Sequence, residues 1–242
     1  MHTESISYEV AGTTYVGYLA VDPSNSERRP GVLICHEGNG LGPQVKDRAH
    51  RLAELGYVAF AVDYIGGGEV LTDMAAMMAK LGGLRGAPDH VRALGRAGLD
   101  VLLARPEVDP ARVAATGYCF GGTFALELAR SGAPLACVCG FHCGLETQRP
   151  DDARNIKGKI LVCIGADDPI VPPAQRLAFE VEMRAANVDW RLHLHGGAVH
   201  GFANPTAGRF GNPAVQYHEP TDRRSWRAMR DLFDETFSGE AS

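Results

Sequence analysis

The chain has 242 residues, of which 45% are hydrophobic and 22% charged; this is the composition of a folded globular protein and excludes a disordered or collagen-like chain. At this length one hydrophobic core buries roughly 70 to 75% of the surface of the unfolded chain, so stability requires neither disulfides nor metals. The 24 basic and 29 acidic residues give a formal net charge of −5, and no stretch concentrates positive charge, which argues against a nucleic-acid partner.

The sequence contains no sign of secretion or of a membrane segment. The N-terminal stretch carries Glu4 and Glu9 and has no apolar run after a basic start, unlike a secretory signal. The longest apolar runs, such as 57–62, have the length of a strand and fall short of the roughly 18 residues that span a bilayer. We therefore expect a cytoplasmic protein without a membrane partner.

The first third of the chain has the pattern of a hairpin followed by a βαβ unit. Residues 5–20 alternate between apolar and polar around Ala11-Gly12, which is typical of a hairpin. Apolar residues then recur in two short buried runs with helical spacing between them. The patterns predict a hairpin at 5–20, a polar loop at 22–30, a strand at 31–36, a helix at 43–55 that ends at a left-handed Gly56, and a strand at 57–62.

The rest of the chain continues the alternation of helices and strands. We predict helices at 70–81, 88–104, 120–131, 172–186 and 222–237, and strands at 112–116, 135–141, 159–164 and 190–194.

This order predicts an α/β fold with a mostly parallel, doubly wound sheet flanked by helices. With no repeat or linker in view, residues 1–242 are expected to form one domain, in which 1–30 are the hairpin and loop and 31–242 the core. Two interruptions, 66–68 and 204–213, are predicted loops that line a cleft.

The sharpest motif is GYCFGG, in which a predicted strand runs through Gly117 and Cys119 directly into a helix. This is the pattern of a nucleophile elbow, whose central residue adopts a strained conformation and needs small residues such as Gly117 and Gly121 on either side. At a helix N-terminus a thiol is near the positive end of the helix dipole, which favours the nucleophilic thiolate. Cys119 is therefore the candidate nucleophile.

The other five cysteines lie mostly inside apolar segments, where a disulfide framework is not expected in a chain of this kind. They are predicted to be buried free thiols: Cys35, Cys137, Cys139, Cys143 and Cys163.

A nucleophile of this type needs a base and an acid that orients the base, in the chain order nucleophile, acid, histidine. Two acids follow the predicted strand 159–164, in GADDPIVP, where the end of a parallel strand delivers side chains to one sheet edge. We favour Asp168, which begins the turn with Pro169, over Asp167. The alternative remains open at this stage.

Among nine histidines, His200 in GGAVHGF is the candidate base, because it follows the acid on a loop before the last helix. His193 and His195 alternate on one face of a strand and suggest a metal site instead, but no third ligand has suitable spacing. His142 stands among cysteines and invites the same interpretation, and we favour core packing for it. We expect no metal.

The segment HEGNGL follows the predicted strand 31–36 and points at the same sheet edge. In this kind of fold the loop supplies one backbone N–H of an oxyanion hole, here Gly38, and the residue after the nucleophile, Phe120, supplies the other. Glu37 places a carboxylate beside the expected site, where it would accept the thiol proton or repel a resting thiolate.

With HEGNGL, GYCFGG, GADDPIVP and AVHGF in this order, the chain resembles the dienelactone hydrolase (carboxymethylenebutenolidase-like) family of the α/β-hydrolase fold. The resemblance extends from about residue 31 to the C-terminal helix. It implies Cys119 as nucleophile, His200 as base, Asp168 as the orienting acid and Glu37 as the carboxylate that interacts with the thiol. It also implies hydrolysis of a lactone or ester through an acyl-enzyme, without a cofactor.

The expected partner is therefore a small-molecule ester or lactone, bound by a monomer or homodimer. Family members that act on dienelactone use two arginines to hold the substrate carboxylate, for which Arg85 and Arg209 are the candidates here, and Tyr64 is a further candidate for the pocket. An alternative is a catalytically silent thiol sensor or small-molecule binding protein on the same fold, which would form an adduct or a sulfenic acid at Cys119 without turnover.

Overall fold

The computed structural model describes residues 1–24 and 27–238, and for Phe210 the backbone alone. The chain forms two compact units, Met1–Thr116 and Gly117–Ser242. This division does not test whether residues 1–242 behave as one domain, and that expectation stays a prediction.

The described part of the first unit contains five strands and three helices. They are β1 (His2–Val10), β2 (Thr13–Val21), β3 (Arg29–Cys35), α1 (Pro43–Glu54), β4 (Val58–Val62), α2 (Met74–Arg85), α3 (Pro88–Leu103) and β5 (Val108–Tyr118), which continues into the second unit.

The strands of the first unit follow the order β1-β2-β4-β3-β5. β1 pairs antiparallel with β2, and the two are joined by Ala11 and Gly12, whose φ angles of 50° and 77° suit a tight hairpin turn. β3 and β4 are parallel, with Gly31 opposite Val58, and α1 packs against both. The predicted hairpin and βαβ unit are therefore confirmed, and Gly56 has the expected left-handed conformation with φ 93°.

The described part of the second unit alternates between helices and parallel strands. Its elements are α4 (Phe120–Arg130), β6 (Cys137–Phe141), β7 (Lys159–Gly165), α5 (Pro173–Ala185), β8 (Trp190–His195) and α6 (Glu219–Phe237), with short 3₁₀ helices at Pro150–Asn155 and Ala207–Phe210.

The three strands β6, β7 and β8 are neighbours in that order and run parallel. All five residues of β6 are buried, because α4 and α6 pack against the strand. Parallel strands end at a common edge, so the loops that begin after Gly165 and His195 start side by side. The predicted α/β architecture is confirmed: the strands β6, β7 and β8 of the second unit are parallel, and in the first unit β3 and β4 are parallel while β2 pairs antiparallel with both β1 and β4.

The helix predicted at 70–81 is displaced toward the C-terminus in the structure, where it begins at Met74. Asp73 is its N-cap and accepts a hydrogen bond from the Ala76 N–H at 2.7 Å. The residues before it are extended instead: Val70 forms a β-bridge with Gly40, and the Leu71 N–H donates to the Asn39 carbonyl at 2.8 Å. These contacts with a distant loop outweigh the helical pattern and keep Val70 and Leu71 out of the helix.

No helix within the described residues combines the length and the apolarity that crossing a membrane requires. The six cysteines are free thiols, and all are buried except Cys119, which is partly exposed. The predicted difference between Cys119 and the other five is confirmed.

Candidate active site

The turn between β5 and α4 holds the predicted nucleophile. Cys119 has φ 54° and ψ −125°, a conformation that strains a residue with a side chain. Two hydrogen bonds hold it: the Cys119 N–H donates to the Phe141 carbonyl at 3.0 Å, and the Gly122 N–H donates to the Cys119 carbonyl at 3.1 Å. Cys119 is also the N-cap of α4. The backbone therefore has the sharp strand-to-helix turn that the motif predicts.

Close contacts explain why this turn needs glycine. A Cβ at Gly117 would lie 2.1 Å from the Gly121 carbonyl oxygen, and a Cβ at Gly122 would lie 2.4 Å from the Cys143 Cβ. Both distances are far inside van der Waals contact. A side chain at either position would open the turn and move the sulfur of Cys119.

Two loops of the second unit bring His200 and Asp168 to the sulfur. His200 Nε2 lies 3.1 Å from Cys119 Sγ, and His200 Nδ1 lies 2.8 Å from Asp168 Oδ2. A carboxylate only accepts hydrogen bonds, so His200 Nδ1 carries the proton between them. The other Asp168 oxygen accepts from the Ile170 N–H at 2.8 Å, which fixes the carboxylate.

The surroundings of His200 favour its charged form. The side chains of His200 and Asp168 are 6% and 0% exposed. Burial lowers the pKa of His200, but the electrostatic interaction with Cys119 and the hydrogen bond to Asp168 outweigh burial and raise the pKa to about 10. His200 is therefore protonated at neutral pH, with its positive charge next to the sulfur of Cys119.

The rival carboxylate, Asp167, contacts the backbone instead of the imidazole. Its Oδ2 accepts from the Gly197 N–H at 2.9 Å, and its own N–H donates to the Ala198 carbonyl at 3.1 Å. Both partners belong to the loop that leads to His200. Of the two candidates, Asp168 is the one that hydrogen-bonds to the imidazole, while Asp167 bonds to the backbone of the loop before His200.

A second segment holds His200 from the other side. The His200 N–H donates to the Ala214 carbonyl at 3.1 Å, and the Gln216 N–H donates to the His200 carbonyl at 2.9 Å. The region predicted as a loop, 204–213, therefore contains a 3₁₀ helix and leads into a segment that braces His200.

Sequence reasoning missed the contact between His142 and His200. His142 is fully buried and has φ 38°. Its ring meets that of His200 edge-on, with centroids 5.2 Å apart, and meets that of Phe202 edge-on at 5.0 Å. Core packing was the favoured interpretation of His142, and the structure adds that this packing supports the imidazole of the candidate base. No sequence spacing signals a contact between residues so far apart in the chain.

The other candidates near HEGNGL lie in the first unit, where Glu37 and Gly38 follow β3. Tyr64 is fully buried, its hydroxyl donates to the His36 carbonyl, and its ring stacks on that of His36 with centroids 3.7 Å apart. Burial lowers the pKa of His36 to about 4 and so keeps this ring neutral at pH 7. The catalytic roles of Glu37 and Gly38 and the substrate contact of Tyr64 stay predictions.

The remaining candidates are exposed. Arg85 is the last residue of α2, and Arg209 lies in the 3₁₀ helix of the second unit. Their contact with a substrate carboxylate stays a prediction. The rings of His193 and His195 are 6.5 Å apart, but no group of three metal-ligating side chains occurs among the residues that the structure describes, so the metal alternative lacks its third ligand.

Two similar solved structures, a curated relative and a family model identify the family of this chain. The structure of the protein m3DLH is 45% identical over 98% of both chains, with a TM-score of 0.95. The crystal structure of a dienelactone hydrolase-like promiscuous phosphotriesterase from metagenomic libraries is 41% identical over 97% of this chain and 98% of that chain, with a TM-score of 0.93. A carboxymethylenebutenolidase from a Pseudomonas species is 28% identical over 89% of this chain and 91% of its own length. The model of the dienelactone hydrolase family matches residues 16–237. The chain therefore belongs to the dienelactone hydrolase family, as an ester- or lactone-hydrolysing enzyme with the α/β-hydrolase fold.

Proposed function

We propose that this enzyme hydrolyses a small-molecule ester or lactone through an acyl-enzyme on Cys119. The observation that carries the proposal is that one ring nitrogen of His200 lies 3.1 Å from Cys119 Sγ and the other lies 2.8 Å from Asp168 Oδ2. These are the distances at which a nucleophile, a base and an orienting acid act together.

In the first half of the reaction the Cys119 thiolate attacks the carbonyl carbon, and a C–S bond forms. The negative charge that develops on the carbonyl oxygen is held by the N–H groups expected to form the oxyanion hole, those of Phe120 and Gly38. Protonated His200 gives its proton to the leaving oxygen as the C–O bond breaks. The products of this half are a thioester on Cys119 and a free alcohol, or an opened lactone that remains attached.

In the second half neutral His200 removes a proton from water, which attacks the thioester carbonyl. The C–S bond breaks, the carboxylic acid leaves, and the thiolate is restored beside protonated His200. Asp168 stays ionised throughout and stabilises the positive charge of the imidazolium, as the 2.8 Å hydrogen bond allows.

Other parts of the proposal rest on the family resemblance. Glu37 is proposed as the carboxylate that interacts with the thiol in the resting enzyme, and Arg85, Arg209 and Tyr64 as candidates for substrate contact. Parallel assays of short esters with and without a free carboxylate would test the two arginines. The cytoplasmic location and the monomeric or dimeric state also stay predictions.

The decisive experiment measures burst kinetics with a chromogenic acetate ester, with intact mass recorded during the burst. We expect an acetyl mass on the wild type that appears in the burst and disappears with turnover. Cys119→Ala should show neither the burst nor the added mass. Its kcat should fall by at least about 1,000-fold, the order of magnitude expected for loss of a catalytic nucleophile.

The matched control is Cys143→Ala, which removes a buried thiol of the same unit. Acetylation that persists without turnover in the wild type would favour the thiol sensor or binding protein. Equal hydrolysis by wild type and Cys119→Ala would mean that the reaction takes place elsewhere.

A second candidate activity is phosphotriester hydrolysis, favoured by the 41% identical structure that is described as a promiscuous phosphotriesterase. The same thiolate would attack phosphorus, an aryl oxide would leave, and water would cleave the resulting S–P bond. The burst experiment with an aryl dialkyl phosphate distinguishes this activity by the mass left on Cys119.

A further inference from the structure

The peptide unit that joins Glu37 to Gly38 is held through its carbonyl. The Glu37 oxygen accepts hydrogen bonds from His36 Nδ1 at 2.5 Å and from the Gly40 N–H at 3.2 Å, and the Tyr64 hydroxyl, whose proton points to the His36 carbonyl, lies 3.3 Å away. A carbonyl oxygen has two lone pairs and commonly accepts one or two hydrogen bonds. The orientation of this peptide is therefore fixed by its surroundings.

The N–H on the other side of the same peptide is different. Gly38 is buried, and no hydrogen bond among the residues that the structure describes uses its N–H. Buried N–H groups without an acceptor are rare in folded proteins, and each one asks for an explanation. A donor reserved for an oxygen that develops during a reaction is such an explanation.

Peptide planarity links these two observations. In a trans peptide the C=O and N–H bonds lie in one plane and point in opposite directions, and the Glu37–Gly38 peptide is trans. Groups that fix the direction of the Glu37 carbonyl therefore fix the direction of the Gly38 N–H. Hydrogen bonds to the carbonyl also polarise the peptide and make its N–H a stronger donor.

His36 and Tyr64 form the part of this arrangement that side chains provide. His36 is fully buried and neutral at pH 7, and a carbonyl cannot donate, so the proton of its ring lies on Nδ1 and points at the Glu37 oxygen. The Tyr64 hydroxyl donates to the His36 carbonyl and is also within 3.3 Å of the Glu37 oxygen. The stacked rings keep both donors in place.

We propose that His36 and Tyr64 are positioning residues that aim the Gly38 N–H at the carbonyl oxygen of the substrate. The inference rests on the proposed function, in which Gly38 supplies one donor of the oxyanion hole. It replaces the predicted substrate contact of Tyr64 with a role behind the peptide that contacts the substrate.

The test compares two nearly isosteric substitutions of one residue, His36→Asn and His36→Leu. The amide nitrogen of Asn occupies the place of His Nδ1 and can donate to the Glu37 oxygen, whereas Leu cannot. We expect His36→Leu to lose roughly 10-fold to 100-fold in kcat with KM little changed, because one oxyanion donor is worth about 100-fold to 1,000-fold. His36→Asn should recover most of that loss.

Tyr64→Phe removes the hydroxyl and keeps the stacked ring, and we expect a roughly 10-fold fall in kcat. Its matched control is Tyr18→Phe, which also removes a hydroxyl bonded to a histidine of the first unit, His50 at 2.6 Å. Tyr18→Phe should leave kcat unchanged.

A second readout separates positioning from damage to the fold. Alkylation of Cys119 by iodoacetamide forms a C–S bond without an oxyanion, so its rate should stay the same in His36→Leu and Tyr64→Phe while ester acylation slows. Equal losses in alkylation and acylation, no loss in either, or equal rates for His36→Asn and His36→Leu would each overturn the inference.

The two proposals fail in different ways. If the wild type forms no acyl-enzyme, the proposed function is wrong and this inference falls with it. If the wild type is acylated and Tyr64→Phe and His36→Leu are acylated at the same rate as the wild type, the inference alone is wrong.

Discussion

The backbone strain at Cys119 has a cost that the second unit must offset. A residue held at φ 54° and ψ −125° costs about 1 to 3 kcal/mol, and it persists only where its surroundings leave no alternative. Here the surroundings are the hydrogen bond to Phe141 and the contact between Gly117 and Gly121, which leaves no room for a side chain. The strain places the sulfur at the N-terminus of α4, where the proposed attack on a substrate would require it.

The raised pKa of His200 makes stability depend on pH in a direction that can be worked out. A histidine whose pKa rises from its ordinary 6.5 to about 10 on folding contributes stability that is fully present below pH 6.5. That contribution is lost as the pH rises toward 10. We expect the unfolding free energy of wild type, measured with urea, to fall relative to that of His200→Gln between pH 6.5 and pH 10.

The cause of the shift can be tested with one further variant. Asp168→Asn removes a hydrogen-bonding carboxylate from Nδ1 and should lower the pKa of His200, as followed by NMR of the ring nitrogens. A His200 pKa that is the same in Asp168→Asn and wild type would show that Asp168 does not stabilise the imidazolium.

At the scale of residues, sequence order was enough to nominate Cys119, Asp168 and His200, because strand ends and a glycine-rich turn leave few places for chemistry. It was not enough for the contacts of Asp167 or His142. Those contacts depend on how separate loops approach each other, and no local pattern of polarity or spacing records that approach.

At the scale of elements, α4 and α5 are joined by a buried ion pair network. Arg130 is fully buried and donates to both oxygens of Glu182, at 2.7 and 2.9 Å, to Glu127 at 3.1 Å and to the Leu145 carbonyl at 3.2 Å. α4 carries Cys119 at its N-terminus, and Leu145 lies in the loop after β6. The network therefore holds the helix that begins at Cys119.

Removing Arg130 should destabilise the fold strongly, because the buried carboxylates of Glu127 and Glu182 then lose this cation. Arg130→Met is expected to lower the unfolding free energy by about 3 to 5 kcal/mol, measured by urea denaturation. The control is Arg223→Met, which breaks an exposed pair with Glu219 at 3.2 Å on α6 and should have an effect close to zero. Similar losses in the two variants would show that burial does not set the strength of the Arg130 network.

The predicted helices and strands are correct where a repeating apolar pattern determines the structure. A predicted boundary is wrong where other contacts of the same residues outweigh that pattern. The apolar runs that become β3, β4 and β7 leave no alternative to a buried strand. The pattern at 70–81 was overruled at its start, because Asp73 caps a helix that begins after it and Val70 pairs with Gly40. Such contacts join distant parts of the first unit and have no signature in a single sequence.

At the scale of the whole molecule, each unit contains a buried charged side chain that joins several of its segments. In the second unit this side chain is Arg130. In the first unit the Asp63 carboxylate is fully buried and accepts four backbone hydrogen bonds, at 2.8 to 3.0 Å, from Val16, Ile65, Gly66 and Gly68. Its own backbone exchanges hydrogen bonds with the Tyr8 hydroxyl. Asp63 thus joins the hairpin to the end of β4.

Asp63 provides a test of whether the chain is one cooperative domain. Asp63→Asn keeps the size of the side chain but turns an amide N–H₂ toward backbone donors. We expect it to lower the free energy of unfolding by about 3 kcal/mol or more. Asp47→Asn, an exposed residue of α1 with the same loss of charge, is the control. Both tryptophans of the chain, Trp190 and Trp226, belong to the second unit, so their fluorescence does not report on the first directly.

If residues 1–242 unfold as one domain, Asp63→Asn lowers the midpoint of the tryptophan transition by the same amount as the midpoint seen by far-UV circular dichroism, because damage in the first unit destabilises both units together. A tryptophan transition that stays where it is in wild type, while circular dichroism acquires an earlier step, would mean that the two units unfold separately. In that case the hydrogen bonds around Cys119, His200 and Asp168, all within Gly117–Ser242, would survive loss of the first unit.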